Sequence, residues 1–205
     1  VLGGSSSINA MVYIRGHHSD YDHWAALGNT GWSWADLLPY FKKSEHNYSI
    51  QDEWHGTGGP LAVSDSRTDN PVHQMWLDAA RQVGYPLNTD FNGAEQEGVG
   101  IYQVTQVNGE RCSAARAYLL PYLGKRNNLK VELQAQILRI LFDGKRAAGV
   151  EFVQNGVTRV LRARKEVILS AGAFQSPHLL LLSGVGDGQE LQQFGIRTVH
   201  HLPGV

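Results

Sequence analysis

The chain has 205 residues, 42% of them hydrophobic and 18% charged, with a net charge of −1. That balance excludes a disordered chain and leaves no basic footprint for nucleic acid or an anionic membrane. One cysteine, Cys112, excludes an internal disulfide and a multi-cysteine metal site, and no apolar run reaches the roughly 20 residues that a membrane-spanning helix needs.

The stretch Val1 to Met11 comes first and organises the reading of the rest. Gly3-Gly4 removes two Cβ atoms and permits positive φ, so backbone can come close to a ligand. Ser5, Ser6, Ser7 and Asn9 then line one short path with hydroxyls, amide N–H groups and a carboxamide, a surface suited to a large polar cofactor. A flexible Gly/Ser linker is the alternative. The apolar continuation at Ile8, Met11, Val12 and Ile14 argues against it.

Further along, Ser19 or Asp20 predicts a helix start that Gly28 ends, with Tyr21, Trp24 and Leu27 on one face. Ser33 caps a second helix to about Ser44, with Pro39 predicting a kink or a late start. The polar, Gly-rich stretch His46 to Gly59 predicts a long surface loop and a boundary. A short strand follows at Pro60 to Val63. Asn70-Pro71 opens a third helix whose inner side is Val72, Trp76, Ala79, Ala80 and Val83. Residues 86–98 predict a loop, and Val99 to Val107 a strand turned at Asn108-Gly109.

Ser113 predicts a helix through Tyr122. Strands are then expected at 129–133, 135–142, 147–154 and 157–169, with turns at Asp143-Gly144 and Asn155-Gly156. The run Val167-Ile168-Leu169-Ser170-Ala171-Gly172 has the pattern of a strand buried on both faces. Its end, Ala171-Gly172-Ala173, is a strand-to-helix turn, where open α/β sheets place nucleotides. Ser176-Pro177 opens a helix with Leu179–Leu182 as its core, and Gly188 to Phe194 predicts one more.

Other chemistries find little support. No G-x-G-x-x-G follows a predicted strand, and Gly184-Val185-Gly186-Asp187-Gly188 reads as a helix C-cap and turn. Nine histidines include the pairs His17-His18 and His200-His201, but no H-E-x-x-H, so no metal ligands are assigned. No G-x-S-x-G elbow is present.

Two long motifs carry a resemblance. Gly3-Gly4-Ser5-Ser6-Ser7-Ile8-Asn9-Ala10-Met11-Val12-Tyr13-Ile14-Arg15-Gly16 resembles the first signature of the glucose-methanol-choline (GMC) flavin oxidoreductases. Gly172-Ala173-Phe174-Gln175-Ser176-Pro177-His178-Leu179-Leu180-Leu181-Leu182-Ser183-Gly184-Val185-Gly186 resembles the second. Asp90-Phe91-Asn92-Gly93, Gly98 to Thr105 and Ser113 to Leu119 are similar to the bacterial alcohol- and choline-dehydrogenase branch.

The resemblance implies a mixed α/β (α+β) fold: part of a Rossmann-like FAD-binding domain with part of a substrate-binding domain. Residues 1–48 and 106–205 would be the FAD-binding region, and 49–105 the substrate side. Ser5, Asn9, Ala10, Met11 and Val12 would line the flavin, with Gly3 and Gly4 giving close approach. Ile137 would contact the adenine end, and Ala171 and Gly172 the ADP moiety. The cofactor would be FAD, held without a covalent bond, since Ile8 stands where some choline-oxidising members carry a flavin-linked histidine.

The implied reaction is oxidation of a small alcohol to an aldehyde, with hydride passing to flavin N5 and electrons going on to an acceptor other than O₂, a quinone being one candidate. An oxidase using O₂ and a hydroxynitrile lyase-like enzyme with non-redox FAD are the alternatives. No catalytic residue is assigned within the chain. The family's catalytic pair is expected beyond Val205 and its dinucleotide fingerprint before Val1, so the chain reads as a central fragment. The expected location is the cytoplasm or the inner face of a bacterial membrane, with membrane association undetermined.

Overall fold

The computed structural model describes residues 1–205, which fall into two compact units, Val1–Leu129 and Lys130–Val205. No helix is long and apolar enough to cross a membrane.

In the first unit a single 3₁₀ turn, Gly4–Ser7, precedes helices α1 (His18–Ala26) and α2 (Trp34–Ser44). Helix α1 starts a residue or two before the expected caps, because the His17 ring accepts from the Ser19 N–H and Asp20 reaches back to the His17 N–H at 3.0 Å. Ser33 and Asp36 form the reciprocal capping pair of α2. Pro39 lies inside α2, where its missing N–H removes one rung without ending the helix. Tyr21, Trp34 and Phe41 close the seam between the two helices, with ring centroids 5.7–5.9 Å apart.

Strand β1 (Glu45–Asn47) follows α2 directly and pairs in parallel with β2 (Leu61–Asp65). Helix α3 (Pro71–Gln82) has Asn70 as its N-cap and Pro71 in its first turn, as its sequence predicts. Short strands β3 (Gln103–Val104), β4 (Gln106–Val107) and β5 (Glu110–Arg111) come next. β3 pairs antiparallel with β2, and β4 with β5 through a turn in which Asn108 and Gly109 both have positive φ. Ala115–Leu119 is one π-helical turn, where a longer helix is expected. Ala62, Cys112 and Ala117, with Leu61 and Val107 against them, make a small core.

The stretch His46 to Gly59 departs from the surface loop expected of it. Asn47 and His55 are buried, and the chain passes so close to the end of α2 that a Cβ on Gly56 would lie 1.9 Å from the Lys42 carbonyl oxygen. Only glycine admits that approach. Helix α3 also departs: its apolar residues Val72, Trp76 and Val83 are 59–74% exposed.

The second unit is built on an antiparallel meander, β6 (Gln136–Asp143), β7 (Arg146–Gln154) and β8 (Val157–Arg162). Asn155 and Gly156, both at positive φ, turn β7 into β8. Helix α4 (Gln175–Leu182) packs on β6, where the Ser183 hydroxyl accepts from the Ile140 N–H at 2.8 Å. Gly184 ends α4 at φ 86° and leads to β9 (Val185–Gly186), α5 (Gly188–Gln193) and β10 (His200–His201), the last parallel to β9. Residues 129–133 and 163–169 form no strand, and Ile168 is 79% exposed. A parallel strand needs ladder partners, and the only backbone bond from residues 163–169 to another segment is that of the Ala163 N–H to the Ala148 carbonyl, at 2.9 Å.

Candidate functional site

The path from Gly3 to Val12 is shaped by three left-handed residues: Gly3 (φ 88°), Gly4 (φ 57°) and Met11 (φ 64°). Gly4 faces open space, so its glycine answers to φ alone. At Gly3 space also counts, since a Cβ there would lie 2.4 Å from Ser7 Oγ and 3.2 Å from the Ala115 nitrogen. Met11 has a side chain in a conformation such residues rarely adopt, a local strain that the surrounding bonds must hold.

Those bonds come from one side. The Ser7 hydroxyl donates to the Leu2 carbonyl at 2.6 Å, and the Ser6 hydroxyl donates to the Gly3 carbonyl while accepting from the Ala114 N–H. Arg111 donates to the Ser6 carbonyl at 3.1 Å and to Asn9 Oδ1 at 2.8 Å. Asn9 Oδ1 accepts the Met11 N–H as well, at 3.0 Å, and so pins the strained residue. Beyond it the Thr105 N–H donates to the Met11 carbonyl and the Tyr13 N–H to the Gln103 carbonyl, so Val12 stands opposite Val104 as an added edge of β3.

The other side is left unpaired. Val12 sits in the non-hydrogen-bonded register, so its own N–H and C=O point away from β3. The Val12 and Ala10 N–H groups, the Ser5 hydroxyl and the Asn9 side-chain Nδ2 find no partner in the chain. Ser5, Asn9, Ala10 and Val12 are all exposed. Four donors along about eight residues, beside two glycines without Cβ bulk, fit a large ligand rich in acceptors. An open groove of about 400 Å³ adjoins Val12, walled by Trp76, Ile101, Tyr102 and Val104.

Behind the path lies a buried polar block that sequence reasoning did not find. Arg15 and Glu45, side chains 2% and 0% exposed, meet at 2.6 Å. Glu45 also accepts from the Gly56 N–H at 2.9 Å and from Asn47 Nδ2 at 3.0 Å. Buried His55 lies between two carboxylates, with Nδ1 2.7 Å from Asp52 and Nε2 3.4 Å from Asp90. Burial works against a charged ring, but the Asp90 carboxylate at 3.4 Å, the hydrogen bond to Asp52 and the nearby Glu45 charge prevail, so the His55 pKa is raised. Burial likewise opposes ionisation of Asp52 and Asp90, and the bonds from His55 and the backbone overcome it, lowering both. The ligand-type atoms of these three lie within 4.8 Å of one another, and the 2.7 Å contact between His55 and Asp52 is a hydrogen bond.

In the second unit Ile137 is half-buried on β6 opposite Phe152, just before a register shift in the ladder. Ala171 and Gly172 are exposed and form the entry to α4. The Ala171 N–H donates to Ser176 Oγ at 3.1 Å, the Gly172 carbonyl accepts the Ser176 N–H at 3.0 Å, and Gly172 has φ 91°. The turn is therefore present without the ladder expected to lead into it.

The comparisons with known proteins agree with this picture. Residues 1–202 match the family model described as GMC oxidoreductase. The chain is 50% identical over all its residues to the mitochondrial choline dehydrogenase of Homo sapiens, covering 34% of that protein. It is 48% identical to an oxygen-dependent choline dehydrogenase of Rhizobium johnstonii, covering 37% of it. The chain thus spans about a third of the length of these curated relatives. Among solved structures, an FAD-dependent oxidoreductase from Chaetomium thermophilum superposes with a TM-score of 0.93 at 35% identity, over the whole of this chain and 38% of that one. The mixed α/β fold is shared along with the motifs, and the chain belongs to the GMC oxidoreductase family of enzymes.

Proposed function

We propose that the whole protein oxidises a primary alcohol, choline being the first to try, with FAD as hydride acceptor and electrons passed to an acceptor other than O₂. The observation that carries this is the outward row of unpaired donors on Ser5, Asn9, Ala10 and Val12, held in place from behind by Arg111 and β3. FAD supplies, when bound, an electron sink for the substrate's hydride. Gly3 and Gly4 let backbone come close to it; Ser5, Asn9, Ala10, Met11 and Val12 hold and orient it. Ile137, Ala171 and Gly172 are assigned to its ADP end on their likeness to family positions. The groove beside Val12, lined mostly by residues between Ser66 and Val104, supports residues 49–105 as the substrate side, while residues 1–48 and 106–205 are assigned to the cofactor side on their likeness to the family. The names of the relatives support choline as substrate.

The same reading makes the flavin non-covalent. Ile8, directly before Asn9, has no nucleophile and is 78% exposed, so it offers only apolar surface to what lies against the path. After acid precipitation of the holoprotein, yellow colour should stay in the supernatant. A coloured pellet, with flavin mass on a peptide from this loop, would show a covalent link.

Turnover of the FAD-loaded full-length protein with choline and a dye acceptor, set against turnover with O₂ alone, tests the reaction. Dye reduction well above oxygen consumption is the expected result. Equal rates would favour the oxidase reading, for which the oxygen-dependent relative gives a specific reason. No turnover with any alcohol by flavin-loaded protein would overturn the proposal.

A further inference from the structure

The residues just after the cofactor-facing path are gripped by two side chains from a distant loop. Asn92, 5% exposed, accepts the Arg15 N–H at 2.7 Å through Oδ1 and donates Nδ2 to the Tyr13 carbonyl at 3.1 Å. Gln96 donates to the Arg15 carbonyl at 2.9 Å and to the Phe91 carbonyl at 3.2 Å. The Asn92 carboxamide thus pairs with residues 13 and 15 as the backbone of a neighbouring strand would, one acceptor and one donor on alternate residues.

Asn92 is itself held from behind. Its N–H donates to Asp90 Oδ1 at 2.9 Å, the same oxygen that lies 3.4 Å from His55 Nε2. Its carbonyl accepts from the guanidinium of Arg15, which also reaches the Trp54 carbonyl and Glu45. The grip therefore stands on buried, charged groups and not on a mobile loop tip.

This grip has a specific consequence for the path before it. The ladder to β3 holds residues 11–13 by two backbone bonds, Thr105 N–H to Met11 carbonyl at 2.8 Å and Tyr13 N–H to Gln103 carbonyl at 2.9 Å. A slip of one residue in so short a pairing would turn the Val12 N–H inward and its neighbours outward. Two further bonds at Tyr13 and Arg15 make that slip incompatible with Asn92.

We propose that Asn92 is a positioning residue for the flavin-facing path, fixing the register of residues 13–15 and hence the direction in which the Ala10 and Val12 N–H groups present themselves. This rests on the proposed FAD role of that path. Asn92 touches neither cofactor nor substrate in this account; it acts through Tyr13 and Arg15.

The test uses the full-length protein, with FAD affinity read by quenching of flavin fluorescence and amide exchange read by mass spectrometry. Asn92→Ala should weaken FAD binding about tenfold, the scale of losing bonds from a preorganised site. It should also speed exchange in the peptide that carries Tyr13 to Arg15. Asn92→Asp, which keeps the acceptor for the Arg15 N–H and loses the donor, should fall between it and the parent. Asn70→Ala removes the cap of α3 instead and should lower the melting temperature without moving FAD affinity. If Asn92→Ala does not fold, Gln96→Ala, which removes the donor to the Arg15 and Phe91 carbonyls and leaves both Asn92 bonds in place, should give a smaller shift in both readouts.

Parent protein that binds FAD while Asn92→Ala and Gln96→Ala bind it within twofold would overturn the positioning role and leave the proposed function standing. An equal loss of affinity in Asn70→Ala would overturn it too, by showing that the effect follows stability alone. Parent protein that binds no FAD would remove the functional reading itself, and the positioning role with it.

Discussion

Replacing Arg15 by methionine is the sharpest test of the buried polar block. Methionine keeps an unbranched apolar stem of similar reach and deletes the charge. Glu45, fully buried, would keep the Asn47 and Gly56 donors and lose the cation 2.6 Å away. Breaking one side of a buried ion pair costs about 3–5 kcal/mol. The Trp54 carbonyl, which now accepts from the same guanidinium at 2.8 Å, would lose its donor as well, which places the expected loss in the upper half of that range. With a urea dependence of roughly 2 kcal/mol per molar, the unfolding midpoint should fall by about 2 M. All five tryptophans (Trp24, Trp32, Trp34, Trp54 and Trp76) lie in the first unit, so their fluorescence reports the unit that carries the change. Arg15→Met/Glu45→Leu removes both charges and should recover at least half of the lost stability, since the main cost is the stranded carboxylate. A single variant that loses less than about 1 kcal/mol, or a double variant no more stable than the single, would refute the reasoning.

Three further outcomes follow from other parts of the site. The raised His55 pKa means its clasp stabilises fully below the ordinary value of 6.5 and fades as pH rises through the raised one; the lowered values of Asp52 and Asp90 add stability above 3.8 that is lost as pH falls through them. Urea midpoints of the first unit should therefore be highest between these two values, and His55→Gln should remove the fall on the alkaline side. Gly3→Ala should cost about 1–3 kcal/mol, because φ is 88° and the added Cβ meets Ser7 Oγ and the Ala115 nitrogen; a thermal scan unchanged from the parent would contradict this. Arg111→Met takes a donor from both Asn9 and the Ser6 carbonyl, so FAD affinity in the full-length protein should drop several-fold while stability changes by less than about 1 kcal/mol. Unchanged affinity would show that Met11 N–H alone orients Asn9.

What could be read in advance divides along the range of the interaction. Helix caps at Ser33 and Asn70 and the turns at Asn108-Gly109 and Asn155-Gly156 are settled by neighbours within about four residues, and they stand where their residues predict. Periodicity behaves differently, because it marks an apolar face without saying what covers it. Helix α3 carries its stripe as expected, yet Trp76 and Val83 are 70% and 74% exposed within these residues. The run Val167 to Gly172 has the composition of a doubly buried strand and no ladder. The polar stretch His46 to Gly59 fails in the opposite sense, since Gly and polar residues read as surface while Asn47 and His55 are buried. Their burial depends on partners far along the chain: Gln103 Oε1 for Asn47 and Asp90 for His55. The candidate site repeats this division. The residues of its first motif proposed to face a ligand, Gly3 to Val12, are contiguous, and their glycines and donors are visible in order. Its supports are not, because Asn92 and Arg111 stand 77 and 102 residues from the groups they hold. A motif can therefore show which atoms are free to face a ligand, while the side chains that hold those atoms in place, Asn92 and Arg111, carry no local signature.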